Sequence, residues 1–121
     1  YSLDGYGKPR LFPISSIYRR QIVICEGEFD CLLLHSLGIN AITSTSGSRT
    51  WKPEWNKLFS EKEVRIIYDS DEAGSNGAEQ VFGEIKQSTR NVRVVKFPKS
   101  DSKVDVTSFV KNNGNIIKLL G

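Results

Sequence analysis

Four short runs rich in aliphatic and β-branched residues recur along the chain: Gln21–Cys25, Asn40–Thr43, Val64–Tyr68 and Val92–Phe97. The first is almost continuously apolar, as a strand covered on both faces should be. Between the runs the apolar period lengthens to that of a helix. Phe29, Leu32, Leu33 and Leu37 recur at helical spacing ahead of Gly38, which predicts a helix carrying this apolar stripe and stopped by the glycine. Ala78, Val81, Phe82 and Ile85 share one face of a second helix, from Gly74 to about Ser88. Pro53 at a first helical turn, with Trp55, Leu58 and Phe59 behind it, predicts a short helix. Val106–Lys111 and Ile116–Leu120 predict two more. Strand–helix alternation of this kind argues for an α/β fold. The expected form is a mostly parallel sheet of about four strands, flanked by helices on both faces, with right-handed crossovers.

The segment 1–20 reads differently. It is rich in Gly, Pro, Ser and Arg, and only Leu11-Phe12-Pro13-Ile14 offers an apolar anchor. We expect an irregular lead-in from a preceding domain, with an edge strand that Pro13 keeps out of the sheet centre, and a single domain over 21–121. The absence of methionine throughout the 121 residues suggests a piece of a longer protein. No apolar stretch approaches the roughly 20 residues that span a bilayer, and no signal-peptide pattern opens the chain. The expected compartment is therefore the cytoplasm, with no membrane partner. Cys25 and Cys31 form no C-x-x-C pair and have no zinc-ligand company, so Cys25 reads as a small core thiol. His35, the sole histidine, reads as a packing residue.

Acids are placed where the predicted strands hand over to helices. The segments are Ile22-Val23-Ile24-Cys25-Glu26-Gly27-Glu28-Phe29-Asp30 and Ile66-Ile67-Tyr68-Asp69-Ser70-Asp71-Glu72-Ala73-Gly74. If both strands are parallel in one sheet, their carboxyl ends share an edge and Glu26, Asp30, Asp69 and Asp71 converge. Convergent carboxylates stay ionised together most easily around a divalent cation. Oxygen-only ligation favours Mg²⁺ or Mn²⁺ over zinc. Each acid also has a plainer reading. Asp69-x-Asp71 and Asp30 can be helix N-terminal acids, although that role suits Glu26 poorly. Asp105, after the fourth strand, can reach the same edge or simply cap a helix. Gly27 admits a ligand to the backbone. Gly74 opens a helix whose amides can face an anion. The loop containing Gly47, Ser48 and Arg49 suits a phosphate contact or is an ordinary surface loop.

Charge changes the picture further. Lys and Arg number 17 against 14 Asp and Glu, for a net charge of +3. Four of those acids belong to the cluster, so the rest of the surface is distinctly basic. Arg19, Arg20, Arg90, Arg93, Lys96, Lys99 and Lys103 supply much of this. A basic surface around an acidic notch suits a polyanion such as nucleic acid or nucleotide; a solvated surface without a partner would have the same composition.

Glu26-Gly27-Glu28-Phe29-Asp30 followed by Asp69-Ser70-Asp71-Glu72-Ala73-Gly74 resembles the Toprim domain, over roughly Gln21 to Lys111. That domain is shared by bacterial-type primases, primase-helicases, topoisomerases of types IA and II, OLD-family nucleases and recombination-repair proteins. Gly38-Ile39-Asn40-Ala41-Ile42 leading to Gly47-Ser48, the Lys103–Val110 segment and Gly7-Lys8-Pro9-Arg10-Leu11-Phe12 are most similar to the primase and primase-helicase branch. In the Lys103–Val110 segment Thr107 and Ser108 stand where primases commonly have acids.

The resemblance implies that Asp69 and Asp71 bind Mg²⁺. It implies that Glu26 is a metal-linked residue or proton acceptor, that Asp30 supports them, and that Asp105 is a possible further ligand. Gly27, Gly47, Ser48, Arg49, Gly74 and Lys103 would contact phosphates. The implied activity is nucleotidyl transfer for RNA primer synthesis, with DNA template, nucleoside triphosphates, other domains of the parent protein and a replicative helicase as partners. On its own the domain would be inactive. Strand cleavage by an OLD-type nuclease or topoisomerase is the alternative chemistry for the same acids. A receiver domain would need paired acids directly after the first strand, where Cys25-Glu26-Gly27 stands. A haloacid-dehalogenase-like phosphatase would need Asp-x-Asp on its first core strand.

Overall fold

Alternation along the strands explains why the apolar runs are nearly continuous. In the computed structural model, which describes residues 10–44, 51–98 and 102–121, Ile22 and Ile24 face one side of the sheet and Val23 and Cys25 the other. Both sides are covered, so neither set can be polar. On the first face, Ile22, Ile24, Ile42, Val64 and Ile66 pack against Ala78, Val81 and Ile85 of one helix and against Trp51 and Phe59. On the second face, Val23, Cys25, Ala41, Ile67 and Val95 pack against Cys31, Leu34, Val106, Ile116 and Leu120.

The sheet comprises β1 (Leu11–Phe12), β2 (Gln21–Cys25), β3 (Ala41–Ser44), β4 (Glu63–Ile67) and β5 (Val92–Val95), in the spatial order β1-β3-β2-β4-β5. The four longer strands are mutually parallel, and β1 pairs antiparallel with β3 at the edge. The α-helices are α1 (Glu28–Ser36), α2 (Glu72–Ile85), α3 (Val106–Lys111) and α4 (Ile116–Leu120). Among the described residues, no helix is long and apolar enough to cross a membrane.

The expected α/β architecture is present with five strands, the fifth being the two-residue edge strand before Pro13. The lead-in is tied to the sheet beyond that strand. A 3-10 turn at Ile14–Tyr18 is held by Ser16 Oγ donating to the Ala41 carbonyl at 2.9 Å. Asn40 Nδ2 donates to the Ser16 and Gln21 carbonyls, each at 2.9 Å. Pro53–Phe59 is a 3-10 helix rather than an α-helix. Cys25 is fully buried, as expected of a core thiol, and so is Cys31. His35 is exposed instead of packed, its Nε2 lying 2.8 Å from the Ala41 carbonyl oxygen.

The larger difference lies in α1. The apolar stripe expected to face the core is largely outside: Phe29 is 86% exposed, Leu32 53% and Leu37 39%. Cys31 and Leu34 are the fully buried pair, with Leu33 packed beside them. The helix carries two overlapping apolar stripes, and its periodicity alone admits either. Its rotation is the one that packs Cys31 and Leu34 against the sheet and α3, and it leaves Asp30 facing Thr107 on α3. Leu34→Ala is therefore expected to cost about 2–5 kcal/mol, and Phe29→Ala to stay within about 0.5 kcal/mol. Urea unfolding of the two variants checks this, and the reverse ranking would put the other stripe inside.

Candidate functional site

Strand register brings the two acidic loops side by side. Cys25 at the end of β2 is level with Ile67 at the end of β4, so Glu26 leaves the sheet beside the Tyr68–Asp69 step. The strand order also reverses here, because β2 leads out to β3 on one side while β4 adds on the other. An α/β sheet opens its crevice at such a switch point, beyond the carboxyl ends of the strands. The contact is direct: the Asp69 N–H donates to Glu26 Oε1 at 2.9 Å.

Asp71 caps α2. Its Oδ1 accepts from the Gly74 N–H at 2.7 Å, satisfying an otherwise unpaired amide at the positive end of the helix. Gly74 is required by close approach: a Cβ there would stand 2.1 Å from the Asp69 carbonyl oxygen. The first turn of α2 thus folds directly over the first aspartate. Both acids face one cation, with Lys103 Nζ lying 3.1 Å from Asp69 Oδ2 and 3.3 Å from Asp71 Oδ2.

Lys103 comes from far along the chain, and two hydrogen bonds place it. The Ser70 N–H donates to the Val104 carbonyl at 2.8 Å, and the Val104 N–H donates to Ser70 Oγ at 2.7 Å. This pair ties the segment before α3 across the Asp-x-Asp loop. Asp105 then caps α3, its Oδ1 accepting from the Ser108 N–H at 2.7 Å. Ser108 Oγ completes the capping box by accepting from the Asp105 N–H at 3.0 Å. Thr107 Oγ1 donates to Asp30 Oδ1 at 2.9 Å. Thr107 and Ser108, which depart from the acidic pattern common in primases, thus position Asp30 and α3. Ser70, Thr107 and Ser108 are the site residues that sequence reading missed; their signal was a hydroxyl at a cap position or between two acids.

Burial and crowding drive the electrostatics. Burial pushes the Glu26 carboxyl up, only partly countered by the Asp69 N–H, while Asp69 and Asp71 add like-charge repulsion. Asp69 is also raised, chiefly by burial, against the pull of Lys103. Asp71 is lowered, first by the Gly74 N–H and then by Lys103. The two aspartates raise Lys103 in turn. Asp30 is raised by burial despite its Thr107 hydrogen bond, with Asp105 and Asp69 raising it further. Among the described residues, one rim therefore holds several carboxylates, Glu26, Asp30 and Asp69 partly desolvated, and the Lys103 ammonium that bridges Asp69 and Asp71.

Of the expected site residues, Glu26, Asp69, Asp71 and Lys103 come together, and Asp30 and Asp105 stand within electrostatic reach. Among the described residues no group of three or more His, Cys, Asp or Glu side chains forms a ready-made metal cage. Glu26 is bound to a backbone amide, and Lys103 links the two aspartates. Gly27 has ordinary extended backbone at φ −138°, which any residue adopts, so positive φ is no part of its role. Its Cβ position faces open space, which leaves access for a ligand. The Gly74 amide, expected to face an anion, donates to Asp71. Gly47, Ser48 and Arg49 lie outside the described residues.

Because folding raises the Asp30 pKa, this group's contribution to stability is complete below its unfolded-state value and is lost as pH rises through the folded one. Asp30→Asn keeps an acceptor for Thr107 and removes the half-buried charge. In chelator at pH 7.5 it should raise the melting temperature by about 2–4 °C. The advantage should vanish as pH falls toward the ordinary aspartate value of 3.8. A pH-independent difference in calorimetric melting would disprove this account of Asp30.

The sequence and the fold have counterparts among known proteins. The Toprim-like family model matches residues 23–110. The Gene 57 protein of Mycobacterium phage D29 is 32% identical over 110 residues, covering 88% of this chain and 67% of that protein. A DNA primase of Clostridium acetobutylicum is 34% identical over 95 residues, covering 77% of this chain but only 15% of the primase. Among solved structures, the Aquifex aeolicus primase (zinc-binding and RNA polymerase domains) superposes with a TM-score of 0.71 at 24% identity, over 88% of this chain and 27% of that one. A chain from the bacteriophage T7 lagging-strand DNA polymerase complex with primase domains, bound to an RNA/DNA hybrid and dTTP, gives a TM-score of 0.59 at 22% identity, over 84% and 53%. The family model covers most of the chain, so the chain belongs to the Toprim-like family, and its relatives include bacterial DNA primases.

Proposed function

We propose that this chain is the Toprim catalytic domain of a DNA primase or primase-helicase-like replication protein. Its parent would carry out Mg²⁺-dependent nucleotidyl transfer, building RNA primers on DNA from nucleoside triphosphates. The observation that carries the reading is the sharing of one cation by Asp69 and Asp71, at 3.1 and 3.3 Å from Lys103 Nζ, beside Glu26 at the sheet's switch point. Relatives named DNA primase support the parent reaction.

The residues fit a hard divalent ion. Two aspartate oxygens already converge on a single positive centre, and the donors are all carboxylate oxygens, the set that Mg²⁺ or Mn²⁺ prefers. Asp69 and Asp71 would hold the metal, with Glu26 beside them. When bound, the metal would offset the charge of a triphosphate and of the transition state. Asp71, its pKa lowered by the helix cap and Lys103, stays ionised for this task. Glu26 keeps one oxygen on the Asp69 amide, which orients the carboxylate and leaves its second oxygen to accept a proton from an attacking hydroxyl. Lys103, released from the aspartates, would neutralise phosphate oxygens.

Asp71→Asn in the full-length protein should abolish primer synthesis on a single-stranded template, read as radiolabelled oligoribonucleotide. Near-normal synthesis would remove Asp71 from the role assigned here, and template scission without nucleotides would replace synthesis with cleavage. Lys103→Ala should tighten Mg²⁺ binding by about tenfold in calorimetry at low salt. A unit charge at about 4 Å costs a divalent cation roughly 2–8 kcal/mol, much of which the half-exposed Lys103 avoids by moving into solvent. Unchanged affinity would place the metal away from this aspartate pair.

A further inference from the structure

A second concave surface lies at the opposite pole of the sheet, at the amino ends of the strands. It is a cleft of about 690 Å³, lined among others by Arg19, Arg20, Glu63, Arg65, Ile117 and Leu120. Arg19 and Arg20 precede β2 and are exposed. Arg65 on β4 is level with Arg93 on β5, and side chains paired this way point to the same face of a parallel sheet. Two like charges on adjacent strands oppose each other. Neither has an acidic partner: Arg65 Nη1 donates to the Val64 carbonyl at 3.0 Å and to Asn91 Oδ1 at 3.2 Å, and Arg93 Nη2 to the Leu120 carbonyl at 2.7 Å. Among the described residues no carboxylate lies within salt-bridge distance of any of these four guanidiniums. The lone acid in the cleft, Glu63, is taken by Gln21 Nε2 at 3.0 Å and Asn91 Nδ2 at 3.2 Å.

We propose that this arginine cleft binds single-stranded nucleic acid. Arg19 and Arg20 stand just before β2 and Arg65 midway along β4, with Arg93 on β5 beside the cleft, a width of about 10 Å at the usual spacing of neighbouring strands. One phosphate group cannot meet them all; successive phosphates of a strand can. The cleft wall is also partly apolar, with Ile117 63% exposed beside Leu120. Unstacked bases of a single strand can lie on such a surface, whereas a duplex presents mainly phosphates to it. The site is separate from the carboxylate rim and needs no metal. Choosing nucleic acid among polyanions rests on the primase reading above; binding in chelator does not depend on catalysis, so the two ideas fail separately.

The test is fluorescence-anisotropy titration of the full chain with a labelled 12-nucleotide thymidine oligomer, in EDTA, at several salt concentrations. Arg20→Glu with Arg65→Glu should weaken binding more than tenfold and reduce the salt slope by about 1.4, near 0.7 per lost phosphate contact. Arg19→Glu with Arg20→Glu, both at exposed positions, should act in the same direction if Arg65 proves necessary for folding. Lys57→Glu with Lys86→Glu makes the same charge change elsewhere on the surface and should alter affinity less than about twofold. Equal losses from the cleft and control pairs would reduce the effect to net charge and overturn the site. So would unchanged binding by the cleft variants, or displacement by polyglutamate as effective as by unlabelled oligomer.

Discussion

Repulsion among carboxylates at the carboxyl edge of the sheet is the constraint around which this end of the molecule is built. Parallel pairing of β2 with β4 in the register Cys25 to Ile67 forces Glu26 and the Asp69–Asp71 loop into proximity, and partial burial makes that proximity costly. The fold answers with three local devices: a backbone amide on Glu26, a helix N-terminus on Asp71, and the Lys103 ammonium between the aspartates. Each supplies positive potential that a divalent cation can supplement or replace. Under the function proposed above, the remaining shortfall in positive charge is what a divalent cation would meet.

The scaffold tolerates this concentration of charge because its stability lies elsewhere. The sheet buries aliphatic residues on both faces, one against α2 and the Pro53–Phe59 helix, the other against α1, α3 and α4. Site residues come from the loops just beyond the strands, so the carboxylates are held by rigid neighbours without lying in the core. Gly74 marks where this arrangement is tightest, since helix and strand end meet there without room for a side chain. The arginines at the other pole differ in that Arg65 and Arg93 lie within strands, where the adjacent positions Val64 and Ile66 carry the packing.

Much of this was legible from residue order. The apolar runs and the acids after them identified the sheet, its mostly parallel sense and the residues at its carboxyl edge, because period and strand-end chemistry are local properties. The rotation of α1 was not legible. Phe29 and Leu32 carry as strong an apolar signal as Cys31 and Leu34, and the choice depends on packing against strands and helices distant in sequence, among them α3, whose Thr107 meets Asp30 from 77 positions away. The bridging role of Lys103 was equally hidden, since it depends on Ser70 and Val104 exchanging hydrogen bonds across a separation of 34 residues.

By itself, the order of residues determined which segments become strands or helices and which acids leave the sheet at one edge. Hydrophobic period, glycine stops and capping residues act over a few positions and carry their information in the chain. Tertiary structure alone decided which carboxylates share a cation, which hydroxyls hold them, and which stripe of α1 faces inward. Those outcomes depend on distances between segments far apart in sequence, and electrostatic and hydrogen-bond energies take their values only once packing has set those distances.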